Sequence, residues 1–90
     1  MHKISVIIPC YNVEKYMDKC LESVLSQTLS DIEVICINDG STDNSLKLLN
    51  QYAASDSRIT VINKKNEGVG IARNSGLKLA TGDYVYFVDP

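Results

Sequence analysis

Val34-Ile-Cys-Ile-Asn-Asp-Gly-Ser-Thr-Asp43 is the stretch on which the reading of this chain turns. An apolar run stops abruptly at Asn38-Asp39, and a glycine and two hydroxyl residues then lead into a helical pattern. This is how a buried parallel strand delivers a carboxylate to the edge of a sheet, where a ligand can reach it. A carboxylate is costly to hold there unless it accepts hydrogen bonds or meets a cation. Asp39 is therefore a candidate ligand-binding residue, whatever the ligand.

The same alternation extends in both directions. Ile4–Pro9, Ile32–Ile37, Ile59–Ile62 and Tyr84–Val88 are short β-branched or aromatic runs and read as strands. Between them lie three stripes at helical spacing: Val13, Tyr16, Met17, Cys20, Leu21, Val24 and Leu25; then Leu46, Leu49, Tyr52 and Ala53; then Val69, Ala72, Gly76, Leu79 and Ala80. The small members of the third imply close packing on the sheet. Right-handed crossovers make the strands parallel, with helices on the faces. The expected fold is α/β, a Rossmann-like parallel sheet of order 3-2-1-4 with flanking helices. Pro9-Cys-Tyr-Asn12, Asn38-Asp39, Asn63–Asn66 and Asp89 then share the carboxyl edge, where open sheets of this class bind ligands. The outer strand, Tyr84–Val88, contains neither proline nor lysine, so pairing with a second copy is expected there.

Ninety residues allow one domain, 1–90. With 44% apolar and 22% charged residues and a net charge of −2, the composition is that of a soluble globular chain and points to no nucleic acid or anionic membrane. Neither a leader nor a membrane span is legible, which suits a cytoplasmic location. Cys10, Cys20 and Cys36 lack metal-type spacing, and Cys20 and Cys36 fall at apolar positions, so they read as core thiols.

Ser41, Thr42 and Asp43 read as caps of the second helix. Asp39 lies before that cap, and a carboxylate there can accept the N3–H of a uracil ring. Tyr11 offers a face for a base or is a rim aromatic. Gly68-Val-Gly-Ile-Ala-Arg73 is too late in the chain for a dinucleotide fingerprint, though its glycines leave peptide N–H groups at a helix start for a phosphate or polar ligand. Arg73 is either a surface ion-pair residue or a fork donor facing the crevice. Asp89 is either a turn residue before Pro90 or the first of a metal-binding carboxylate pair. Glu14 suits the first turn of a helix, and the single His2 excludes a histidine-based nucleophilic site.

Val6-Ile-Ile-Pro-Cys-Tyr-Asn12, Cys20–Thr28, Asn38-Asp-Gly-Ser-Thr-Asp43, Asn66-Glu-Gly68, Ala72-Arg-Asn-Ser-Gly76 and Ala80–Asp89 form an ordered series. In that order they resemble the N-terminal half of a family-two glycosyltransferase with a GT-A-type fold, over Ile4 to Pro90. The resemblance implies inverting transfer of a sugar from a nucleotide-sugar donor, usually a UDP-sugar, to an acceptor hydroxyl on a glycan or lipid-linked acceptor. It places Pro9 and Tyr11 against the base, Asp39 on uracil N3, Arg73 near the base and diphosphate, and Asp89 on ribose and metal as the first aspartate of Asp-x-Asp. A divalent metal, manganese or magnesium, is expected for the complete enzyme, whose membrane attachment would be at most peripheral. The second aspartate, the general base and the acceptor half would follow Pro90, so the chain is expected to hold a partial metal site, no catalytic residue and no activity alone. The rival readings are a non-catalytic nucleotide-binding or interaction module and a receiver-like regulatory domain. The latter lacks its paired acidic cluster and late lysine.

Overall fold

Strand and helix alternate throughout the computed structural model, which describes residues 3–26 and 31–90: β1 (Lys3–Cys10), α1 (Glu14–Leu25), β2 (Asp31–Asp39), α2 (Ser45–Ser55), β3 (Ile59–Lys64), α3 (Val69–Leu79) and β4 (Tyr84–Phe87). The sheet is parallel in every ladder, with the expected order β3-β2-β1-β4. His2 and the Gln27-Thr28 end of the Cys20–Thr28 motif lie outside the described residues.

β2 is buried on both faces, which is why its sequence is an almost unbroken apolar run rather than an alternating one. Val34 and Cys36 join Val6, Ile8, Met17, Leu21 and Leu49 in the larger core, under α1 and α2. Ile35 and Ile37 point the other way, to Ile7 and Ala72 under α3. At Gly76 an added Cβ would lie 2.6 Å from Ile7 Cγ2 and 3.0 Å from Ile37 Cδ1, so the small-residue stripe does bring α3 close to the sheet. Pro9 sits inside β1 without disrupting it. Ile7 directs its carbonyl to Val88 N–H (3.0 Å), and strand peptides repeat every two residues, so the missing Pro9 N–H falls on the β4 side, beyond the end of that ladder.

Three positions in the stripes are exposed. Val69 and Leu79 of α3 are exposed, because only Ala72 and Gly76 meet the sheet, and Tyr16 of α1 is 61% exposed. Tyr16 borders a groove of about 700 Å³ between α1 and β4, with Ile4, Val6, Cys20, Tyr86 and Val88 among its walls. β4 is exposed along its whole length. The thiols behave as apolar filler: burial pushes Cys10 up to about 12 and raises Cys36 as well, and all three are free. No described helix is long and apolar enough to cross a membrane.

Candidate functional site

Asp39 ends β2 with its side chain on the α3 face, and the turn from β3 into α3 comes to meet it. Its Oδ1 accepts the Glu67 N–H at 2.9 Å, its Oδ2 accepts the Gly68 N–H at 3.1 Å, and its backbone carbonyl accepts the Asn66 side-chain amide at 3.1 Å. These N–H groups open α3, whose N-cap is Gly68 at φ 101°, so the carboxylate also sits at the positive end of a helix dipole. That is how the chain holds an acidic residue only 4% exposed. The Gly68 N–H that the sequence offers to an external anion is thus already bound to Asp39. Lys64 is the register neighbour of Asp39, but its Nζ goes to Glu67 at 2.6 Å. Lys64 also holds the Glu67 carboxyl below its ordinary range.

The closeness is enforced at Gly40, which has φ 70°; a Cβ there would lie 2.4 Å from the Asn66 nitrogen. Pro9, Cys10, Tyr11, Asp39, Asn66, Gly68 and Val69 together line a depression of about 220 Å³. Pockets for whole ligands run to roughly 300–1,000 Å³, so this one has room for a ring and not for an entire nucleotide sugar. Tyr11, 49% exposed, stands at its rim.

The neighbouring loops are joined by a set of crossed hydrogen bonds, and the expected caps are part of it. Asn44, not Ser41 or Thr42, takes the N-cap position of α2, and its side chain makes no capping bond. Ser41 Oγ instead accepts the Asn12 N–H at 3.0 Å. Asn12 Oδ1 accepts the Thr42 and Asp43 N–H groups at 2.7 and 3.3 Å. Asp43 serves both helices, accepting Ser45 N–H at 2.9 Å and Glu14 N–H at 3.3 Å, and Ser45 Oγ accepts Val13 N–H at 2.9 Å. Burial would raise the Asp43 pKa, but bonds from Ser45 and Glu14 outweigh it and lower it. The cause is register: Cys10 pairs with Asn38, so the two loops leave the sheet side by side. Asn12, at φ 51°, was quoted above only as part of a motif; an asparagine two residues past a strand end is the signal that could have marked this role.

Arg73 and Asp89 meet each other, but neither lines the depression; Asp89 lines the groove between α1 and β4 instead. Arg73 Nη2 lies 3.2 and 3.3 Å from the two Asp89 oxygens, and its Cζ lies 5.8 Å from the Phe87 ring centre. Arg73 Nε is buried without a partner. Asp89 offers the hard oxygen donors that manganese and magnesium take, but a single carboxylate is a fraction of their usual shell. Among the described residues no three His, Cys, Asp or Glu side chains gather as a metal group.

A second anchored carboxylate, missed in the sequence, lies at the opposite edge of the sheet. Glu33 of β2 accepts from the Ser5 hydroxyl, from the Thr81 N–H (2.6 Å) and hydroxyl (3.0 Å), and faces Lys3 Nζ at 3.7 Å. Ser5, fully buried, accepts the Gly82 N–H at 2.8 Å. A charged residue inside the apolar run of β2 was its signal.

A parallel sheet of this order, with an anchored carboxylate, an exposed tyrosine and an arginine–aspartate pair along its carboxyl edge, has the ligand edge of a Rossmann-like fold. The chain belongs to the family described as Glycosyl transferase family 2, which matches residues 5–90. It is 50% identical over 86 residues to the uncharacterized glycosyltransferase EpsJ of Bacillus subtilis (strain 168), covering 96% of this chain and 25% of EpsJ. Among solved structures it is similar to S. aureus TarS 1-349 (TM-score 0.87, 38% identity, 97% of this chain and 27% of that one), which has also been solved in complex with UDP. It is also similar to the mannosyltransferase PcManGT from Pyrobaculum calidifontis in complex with GDP-Man and Mn2+ (TM-score 0.90, 25% identity, 98% and 27%). The chain thus has the N-terminal part of a GT-A glycosyltransferase fold and spans about a quarter of the length of these relatives.

Proposed function

We propose that this chain is the donor-binding part of a glycosyltransferase that takes a sugar from a UDP-sugar and passes it, with inversion, to a hydroxyl of a glycan or lipid-linked acceptor. The observation that carries the reading is the Asp39 carboxylate, fixed by two peptide N–H groups at the wall of a ring-sized depression. A carboxylate has about four acceptor sites, and two remain for a ligand. The N3–H of uracil suits them, with the ring against Pro9 and Tyr11. Arg73 faces the diphosphate, and Asp89 takes the ribose and, in the complete enzyme, one position on a divalent cation. Such a cation would neutralise charge on the departing diphosphate. The UDP complex of TarS supports a uridine donor, and the GDP-Man and Mn2+ complex of PcManGT supports the coarser reading of a nucleotide-sugar donor with a divalent cation. Ligand-observed NMR or calorimetry with uridine and adenosine diphosphates tests it, and uridine is expected to bind more tightly. Equal affinities would remove the base assignment. Sugar transfer by the ninety-residue chain alone, at any manganese or magnesium concentration, would refute the division of labour.

The exposed β4 edge supports a further reading, pairing of the isolated chain with a second copy. Light scattering across a concentration series is expected to show mass rising with concentration, and a strict monomer would end the idea.

A further inference from the structure

The three bonds between the β3–α3 turn and the end of β2 do more than hold Asp39 in place. Resting on the base-binding role proposed above, we infer that Asn66 is a positioning residue for the choice of base. The Glu67 and Gly68 N–H groups each take one oxygen of Asp39 (2.9 and 3.1 Å), so the carboxylate cannot rotate without losing both. Asn66, immediately before them, ties the same turn to the Asp39 carbonyl at 3.1 Å, and its own nitrogen is so close to Gly40 that a Cβ there would stand 2.4 Å away. Backbone and side chain of Asp39 are therefore clamped by one turn, and Asn66 supplies the one side-chain bond that Asp39 receives among the described residues.

The consequence is chemical. With both oxygens acceptor-only and fixed, the wall of the depression offers acceptors and no donor from Asp39. Uracil at N3 and guanine at N1 present a ring N–H; cytosine at N3 and adenine at N1 present a lone pair. The clamp selects the first pair against the second, because an acceptor facing an acceptor leaves both unpaired as water is excluded. A loosened carboxylate could turn aside and would tolerate either.

The test compares uridine, guanosine, cytidine and adenosine diphosphates by ligand-observed NMR on the whole chain and on Asn66→Ala. The wild type is expected to favour uridine and guanosine, and Asn66→Ala to shrink the uridine-to-cytidine affinity ratio by roughly fivefold or more. A purely structural role would weaken all four nucleotides alike and leave the ratio untouched. A wild type without preference overturns the base-binding role itself. A wild-type preference that survives in folded Asn66→Ala overturns the role of Asn66 alone. Should Asn66→Ala not fold, wild-type amide shifts decide: Glu67 and Gly68 are expected to move with uridine and guanosine diphosphates and little with the other two, and equal movement with all four overturns the inference.

Discussion

Glu33 and Asp39 stand six positions apart on β2, on the same face of the sheet, and an incoming loop holds each, Glu33 by one peptide N–H and Asp39 by two. They differ in what is left over. Glu33 Oε2 alone takes Ser5, the Thr81 N–H and the Thr81 hydroxyl, while Oε1 faces Lys3. Asp39 takes one N–H on each oxygen and lines a depression. A saturated carboxylate joins elements; an unsaturated one has capacity for a ligand. Anchoring alone does not distinguish the two carboxylates; the acceptor capacity left over does.

The largest separation should come from removing each in turn. Asp39→Ala is expected to lower uridine diphosphate affinity by at least about tenfold, and to cost less stability than its counterpart because Glu67 and Gly68 are exposed and water can reach their freed N–H groups. Glu33→Ala should leave that affinity nearly unchanged while removing about 2 kcal/mol, a fall of roughly 10 °C in melting temperature, since it strands the buried Ser5 hydroxyl. Calorimetric binding and thermal melts on both variants check this. A reversed pattern would break the distinction.

Each clamp also contains a glycine that permits close approach, which gives a finer test. A Cβ at Gly82 would lie 2.7 Å from both Ser5 N and Ser5 Oγ, just as one at Gly40 would press on Asn66. Both alanine substitutions should cost about 1–3 kcal/mol through overcrowding, but only Gly40→Ala should also impair uridine binding. Equal binding by the two variants would show that the β3–α3 turn does not govern the site.

The smallest effect is in acid. Burial alone would raise the Glu33 pKa, but Ser5, Thr81 and Lys3 outweigh it and hold it below the ordinary range. A folded pKa below the unfolded value of about 4.3 adds stability that is complete well above that pH and is lost as pH falls through the folded value. Melting temperature should therefore fall more steeply below pH about 4.5 in the wild type than in Glu33→Gln. Parallel curves would show that Glu33 does not contribute.

The strands, the three helices and the strand-end position of Asp39 were legible in the sequence because strand runs and helical stripes carry local periods, while the sheet order followed from the crevice that open sheets of this class form. What was not legible is the partnership across loops. Nothing within Ser41-Thr42-Asp43 says that its partners are Asn12, Val13 and Glu14, since those bonds depend on β1 and β2 lying in register. Tyr16 and Val69 misled for a related reason: helical spacing identifies a face but not whether a strand lies opposite it. Arg73 and Asp89 were each read with two possible roles, and the structure pairs them with each other.

β1 is the first strand and the second-last in space. One of its two ladders joins it to β2, and the other waits for β4, so that Lys3 bonds Asp83 across 80 positions. During synthesis the chain emerges in order, and β1 spends that interval with one side open before its last neighbour exists. The entropy of closing so long a loop rises only slowly with length, yet it must be met before the contact is gained, which slows assembly of folds dominated by distant pairings. Completion of this sheet therefore requires Thr81-Gly82-Asp83, the three residues that bond Glu33, Ser5 and Lys3 immediately before β4.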